Sequence, residues 1–388
     1  MKFVFAPDSF KGTLSSVVAA ELLQKAAAVH FPSAAIYKVP IADGGEGTVE
    51  AVVTALNGEY RSAWVTGPLG ERVNARYGFA KNGRLAVIEM AAASGLPLVP
   101  VERRNPLKTT SRGTGELLAR AMEEGAAEIF MGIGGSATND GGMGMLAALG
   151  TRFYDAGGEL LPDCGESLGK VARIDLSGLH LGLKHTALTI ICDVTNPLLG
   201  PNGAAAVYGP QKGADAAAIT LLEEGMVNYA SLFRQLYNLE IAAFPGSGAA
   251  GGLGAALGGV LGAAIKPGID AMLDLVEFDE LIADADLVVT GEGRIDGQTV
   301  RYGKAPAGVA RRCARHGVPV AIITGGMGPE ADMIYDLAFA SIMPTVSAAM
   351  PLEEALARSR ELFESAADRM FRFIKIGYSL RGPPARPG

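Results

Sequence analysis

Eight short stretches of this 388-residue chain set carboxylates, hydroxyls and cations among glycines, the ingredients for gripping a phosphate and moving it. In one of them, GIGGSATNDGGMG at 132–144, Gly134, Gly135, Ser136, Thr138, Asn139 and Asp140 follow directly on the apolar run AEIFM at 127–131. A strand opening there into a loop at a helix start would aim several backbone N–H groups at an anion, and glycine lets the chain come close to it. The run lacks the GxxxxGK[ST] of a Walker loop and is not the GxGxxG dinucleotide pattern. A glycine-rich turn that merely packs tightly is the alternative.

The other stretches extend the same chemistry. DSFKGTLSS at 8–16 offers Asp8, the point charge of Lys11, and Thr13 or Ser15 to cap a helix. IADGGEGT at 41–48 puts Asp43 and Glu46 at a second helix start, where acids also serve simply to complement the helix dipole. TTSRGTGE at 109–116 gathers Ser111 and Arg112, suited to a carboxylate or phosphate oxygen. Asp193 and Asn196 in CDVTNPLLG are hard oxygen ligands of the kind that hold Mg²⁺ near nucleotide phosphates, although Asx residues beside proline also make plain turns. GPQKGA offers Lys212, GEGRIDGQT offers Glu292, Arg294 and Asp296, and Lys304 in GKAPAGVA reads more simply as a solvated lysine. No GxSxG elbow is present, and no base is evident for a cysteine nucleophile. Positioned cations, an Mg²⁺ ligand and a carboxylate to receive a hydroxyl proton suit phosphoryl transfer.

The elements that must carry these loops alternate in the manner of an α/β protein. Strands expected at 2–6, 35–39 and 60–65, with helices at 15–30 and 45–56 between them, predict a parallel sheet with right-handed crossovers. Strands at 285–289, 318–323 and 336–342, with helices at 306–316 and 352–373, repeat that grammar, so the two ends are expected to build one sheet. Between them Lys81-Asn82-Gly83 marks a hairpin joining 71–79 to 84–90. A helix at 115–124, strand at 127–131, helix at 142–149, strand at 188–192 and an Ala/Gly-rich helix at 252–264 follow. This reads as a mixed α/β domain at 69–284 inserted into a discontinuous parallel-sheet domain at 1–68 and 285–378, with a flexible tail at 379–388. The candidate residues fall at the carboxyl ends of strands, where open parallel sheets bind ligands, and a cleft between two domains is the expected place for a site.

Composition agrees. Hydrophobic residues make up 49% and charged residues 19%, with a net charge of −7 and no basic block, so neither nucleic acid nor a membrane is an expected partner. Three scattered cysteines point to a reducing compartment, and the first residues read as a strand rather than a secretory leader, so a cytoplasmic location is expected.

Taken in order, the eight blocks, together with PTVSAAMPLEEAL at 344–356, resemble the bacterial type I glycerate kinase family over nearly the whole chain. The resemblance implies ATP-dependent phosphorylation of D-glycerate, with 2-phosphoglycerate as product, and a discontinuous flavodoxin-like or Rossmann-like domain carrying an inserted α/β domain. The residues of this chain themselves suggest the roles: the loop from Gly134 to Asp140 is expected to meet ATP phosphates, with Lys11 and Lys212 neutralising charge and Asp193 holding Mg²⁺. Asp43, Glu46, Ser111, Arg112, Glu292 and Arg294 are candidates for the sugar acid, and Asp8 or Asp296 for the proton acceptor. A monomer or homodimer is expected. The competing readings are a kinase for another small hydroxy acid, formation of the 3-phosphate, and a catalytically silent sugar-acid sensor.

Overall fold

The computed structural model describes residues 1–380; the tail expected at its end lies, from Arg381 on, outside the described residues. The fold is mixed α/β, and the chain divides into two compact units. The first comprises Met1–Asp43, Glu50–Ala55 and the residues from Ile269 onward; the second comprises Gly44–Val49 and Leu56–Gly268.

In the first unit five strands pair only in parallel, in the order Ala340–Pro344, Val320–Met327, Leu287–Ile295, Lys2–Pro7, Ala35–Lys38. Counted along the unit this is the order 2-1-3-4-5, the flavodoxin-like winding, whose switch point lies between Lys2–Pro7 and Leu287–Ile295. From Phe3 on, strand Lys2–Pro7 is apolar and buried, as a central parallel strand must be. Phe3 and Phe5 pack with Phe371 of the long helix Ser359–Leu380, while Leu22 and Leu23 of helix Ser16–His30 close the same core. Ser15 caps that helix through Val18 N.

The second unit holds a six-stranded mixed sheet in the order Ala264–Lys266, Ala187–Ile191, Glu128–Gly132, Leu85–Glu89, Arg72–Ala80, Glu59–Thr66. The first four strands are parallel and the last two pair antiparallel; the expected turn joins Arg72–Ala80 to Leu85–Glu89, and Lys81, Asn82 and Gly83 there all take positive φ. Strand Glu59–Thr66 corrects the sequence expectation: it pairs antiparallel with Arg72–Ala80 at the sheet edge instead of joining the parallel sheet. Its alternating burial, with Trp64 exposed and Val65 buried, is the mark of a half-covered antiparallel strand.

Three other elements differ from the sequence pattern. A 22-residue helix, Ala216–Tyr237, capped by Asp215, packs Tyr229 and Phe233 into the core, and its periodicity was not recognised in the sequence. The expected helix at 352–373 is two helices, Leu352–Ala357 and Ser359–Leu380, parted at Arg358. The Ala/Gly-rich stretch is a short helix, Ala249–Gly254, running into a π-helix, Ala255–Val260. Ala250, Gly251 and Gly252 there are left-handed, which lets the backbone lie against residues 138–141.

No helix among the described residues is long and apolar enough to cross a membrane. Gly251 is the tightest point of the approach: a Cβ there would sit 1.9 Å from Thr138 O, at a φ of +70°. Gly251→Ala is therefore expected to lower stability by about 2–4 kcal/mol, since it combines backbone strain with a backbone clash; urea unfolding reads this directly.

Candidate active site

In the first unit the carboxyl ends of the parallel strands open into a cavity of about 610 Å³. Asp8 enters it from the end of Lys2–Pro7, extending the ladder through its N–H to Gly291 O at 2.8 Å. Glu292 enters from the neighbouring strand, so the switch point carries two carboxyls side by side. Lys11, Asp43, Arg294 and Lys304 complete the charged lining. Asp8 is 5% exposed and accepts from Ser9 N at 2.6 Å. Burial, reinforced by the charge of Asp43, pushes its carboxyl up to about 7. Glu292 is also raised by burial, and its Oε1 accepts from Thr299 Oγ1 at 2.7 Å. Lys11 Nζ lies 3.2 Å from Asp43 Oδ2 and is otherwise open to solvent.

Asp296, the other candidate proton acceptor, does structural work. Its carboxylate caps helix Gly297–Arg301 through Gln298 N, and Thr299 Oγ1 answers by accepting from Asp296 N. Arg294 Nε stands 3.5 Å from the same carboxylate. Thr299 thus ties the cap to Glu292, a link legible in the D-x-x-T spacing but not singled out. Lys304, expected to be a surface lysine, is exposed yet lines the cavity.

In the second unit, the stretch 134–140 follows strand Glu128–Gly132 as expected. Gly134 N reaches Gly44 O at 3.4 Å, and Gly135 takes φ +74°. Lys212, expected to meet phosphate, is 2% exposed, and its ammonium donates to Ser136 Oγ (2.7 Å), Thr138 O (2.6 Å) and Asn139 Oδ1 (2.9 Å). A lysine ammonium has three protons, and all three have protein acceptors. Desolvation lowers its pKa to about 7. Asp140 is wholly buried and accepts from Ser111 N and Oγ and from Gly142 and Gly144 N–H, fastening the start of helix Met143–Ala148. Burial raises its carboxyl despite those bonds.

The remaining candidates in this unit are exposed or have partners of their own. Arg112 Nε pairs with Asp163 Oδ2 at 2.8 Å, and Glu46 is exposed. Asp193 is exposed, with Oδ1 accepting from Gly268 N at 2.7 Å, while Asn196 Oδ1 accepts from Tyr208. Sequence reasoning missed Glu89 at the end of strand Leu85–Glu89, which accepts from Val49 N at 2.8 Å and is raised by burial; no motif surrounds it.

Residues 3–375 match the Glycerate kinase family. The chain belongs to that family. It is accordingly a kinase, and this glycerate kinase family member has close relatives along its whole length. It is 47% identical to the glycerate kinase of Bacillus subtilis (strain 168), over 98% of this chain and 99% of the relative. It is 48% identical to the glycerate 2-kinase of Escherichia coli (strain K12), over 98% and 100%. A crystal structure from Salmonella typhimurium LT2, ascribed to glycerate kinase 2, superposes with a TM-score of 0.87 at 46% identity, covering 97% of this chain and 99% of that one.

In this family member the Lys212 ammonium is held by the 136–139 segment. Lys212→Met leaves Ser136 and Asn139 acceptors stranded in the interior, and is expected to cost about 2–4 kcal/mol, measured as a lowered midpoint in urea with the slope unchanged.

Proposed function

We propose that this chain transfers the terminal phosphoryl group of ATP, bound with Mg²⁺, to D-glycerate in the cytoplasm, forming 2-phosphoglycerate. The name of the Escherichia coli relative supports the choice of hydroxyl. The observation that carries the chemistry is Asp8: a buried carboxyl at the sheet's switch point, with a pKa of about 7 and a cavity in front of it. A base poised near the working pH is what deprotonation of an alcohol asks for. As the glycerate oxygen bonds to phosphorus, the bond from phosphorus to the β–γ bridging oxygen breaks. The hydroxyl proton passes to Asp8, and ADP leaves with the electron pair.

Lys11 and Lys304 supply positive charge for the transferring group, and Arg294 is suited to the acid's carboxylate. Glu292 and Asp43 remain as acceptors for its hydroxyls. Mg²⁺ takes one or two carboxylates along with phosphate oxygens and water. Asp193 is the candidate carboxylate read from the sequence, and among the described residues no group of three or more His, Cys, Asp or Glu could hold a metal ion. The ion, when bound, neutralises phosphate charge.

The direct test supplies Mg²⁺, ATP and D-glycerate, reads ADP, and then adds enolase. Phosphoenolpyruvate without added phosphoglycerate mutase is expected; a need for the mutase would mean the 3-phosphate product, and no ADP would sink the assignment.

A second expectation follows from Asp8, which must be ionised to accept a proton. The value of kcat/KM should rise about tenfold per pH unit up to about 7 and level off above it. Asp8→Asn should lower kcat by roughly 10²–10⁴. Its effect on stability has the opposite sign. Burial lifts the carboxyl from its ordinary 3.8, so the wild type loses stability as pH rises through about 7. Asp8→Asn is expected to melt higher than wild type at pH 8, with the difference shrinking toward pH 4.

A further inference from the structure

The first unit's cavity is larger and more apolar than a three-carbon acid requires. Every carbon of glycerate bears oxygen, so the acid has no hydrocarbon face to bury. The cavity nevertheless continues from its charged end onto Leu352, Ala355 and Leu356 of helix Leu352–Ala357, with Met327 also lining it. Its apolar part includes Phe10 and Phe363, two buried rings packed edge to face at 5.1 Å and 85°. Leu352, Leu356 and Met327 are 73%, 47% and 48% exposed. Single exposed apolar side chains mean little, but three sharing one cavity signify a surface kept for a ligand. A volume of about 610 Å³ lies within the range that encloses drug-sized molecules.

We propose that this apolar end receives the purine ring of the nucleotide, with the phosphates directed to Lys11 and Lys304; the assignment rests on the kinase reading above. One cavity then supplies both halves of what a nucleoside triphosphate needs: apolar walls for a flat base and cations for a polyanion. Helix Leu352–Ala357 becomes a determinant of nucleotide affinity rather than of acid affinity.

Two neutral changes test this without adding charge near the phosphates. Leu352→Ser with Leu356→Ser strips the walls, and Ala355→Trp fills the space. Calorimetric titration with ADP and Mg²⁺ should show Kd raised about tenfold or more in the double variant and in Ala355→Trp. Titrations with inorganic tripolyphosphate and with D-glycerate should stay within twofold of wild type, and thermal midpoints would expose any unfolding of a variant. Unchanged ADP affinity in both would overturn the proposal, as would weakened D-glycerate binding with ADP unaffected. Should wild type bind ADP yet fail to phosphorylate D-glycerate, the acceptor assignment falls, while the ADP titrations still decide where the base sits.

Discussion

A carboxyl largely withdrawn from water stands at the one place in the first unit where two parallel strands send their helices in opposite directions. The pairing of Pro7 with Gly291 brings Asp8 and Glu292 to neighbouring strand ends. The apolar strand behind Asp8 is buried on both faces, so water reaches the carboxyl only from the cavity. Desolvation dominates its pKa, and the like charge of Asp43 adds to it. The surrounding features follow from that constraint. Thr299 must hold Glu292 in place, Asp296 must cap the helix that carries Thr299, and Lys11 must answer Asp43.

Two kinds of buried polar group can be told apart by what meets them. Lys212 and Asp140 have internal partners for the atoms that matter: three acceptors around one ammonium, four donated hydrogen bonds on one carboxylate. Such groups specify the shape of the 134–144 segment, since each missing partner would leave a desolvated atom behind. Asp8 has one short backbone donor and a cavity. Its burial is incompletely compensated within the protein, which suits a group that exchanges a proton with a ligand.

Much of this was legible in the sequence because it is local. Strand Lys2–Pro7 shows as an unbroken apolar run, the hairpin as Asn82-Gly83, and the cap as Ser15 before an apolar helix. Asp8, Lys11, Glu292 and Arg294 were legible as strand-end residues, and the sheet gathers them because all its strands point the same way. What stayed hidden depends on distant partners. Strand Glu59–Thr66 could be assigned to its sheet only by knowing that Arg72–Ala80 offered an antiparallel edge. The enclosure of Lys212 depends on residues more than seventy positions earlier, and a lysine beside glycines reads equally well as a phosphate ligand. Glu89 lies in no motif, and only folding brings it to Val49 N.

The same distinction bears on the glycine-rich run, the most conspicuous chemical pattern in the chain. Glycines at 141, 142 and 144 are demanded by packing: Cβ atoms there would meet the Tyr229 ring, Ala256 and the hydroxyl of Thr110. In this segment Ser136 and Asn139 accept from Lys212 and Asp140 fastens the start of helix Met143–Ala148, while the buried Thr138 hydroxyl has no hydrogen-bond partner among the described residues. Glycine frequency marks where backbone must lie close to something, and in this segment much of that something is the protein itself. A better sequence signal for reactivity is a lone acid at the end of a wholly apolar strand, because the strand guarantees desolvation and the turn after it leaves room for a ligand. Asp8 meets that description, whereas Asp193, two residues beyond strand Ala187–Ile191, is exposed and accepts from Gly268 N.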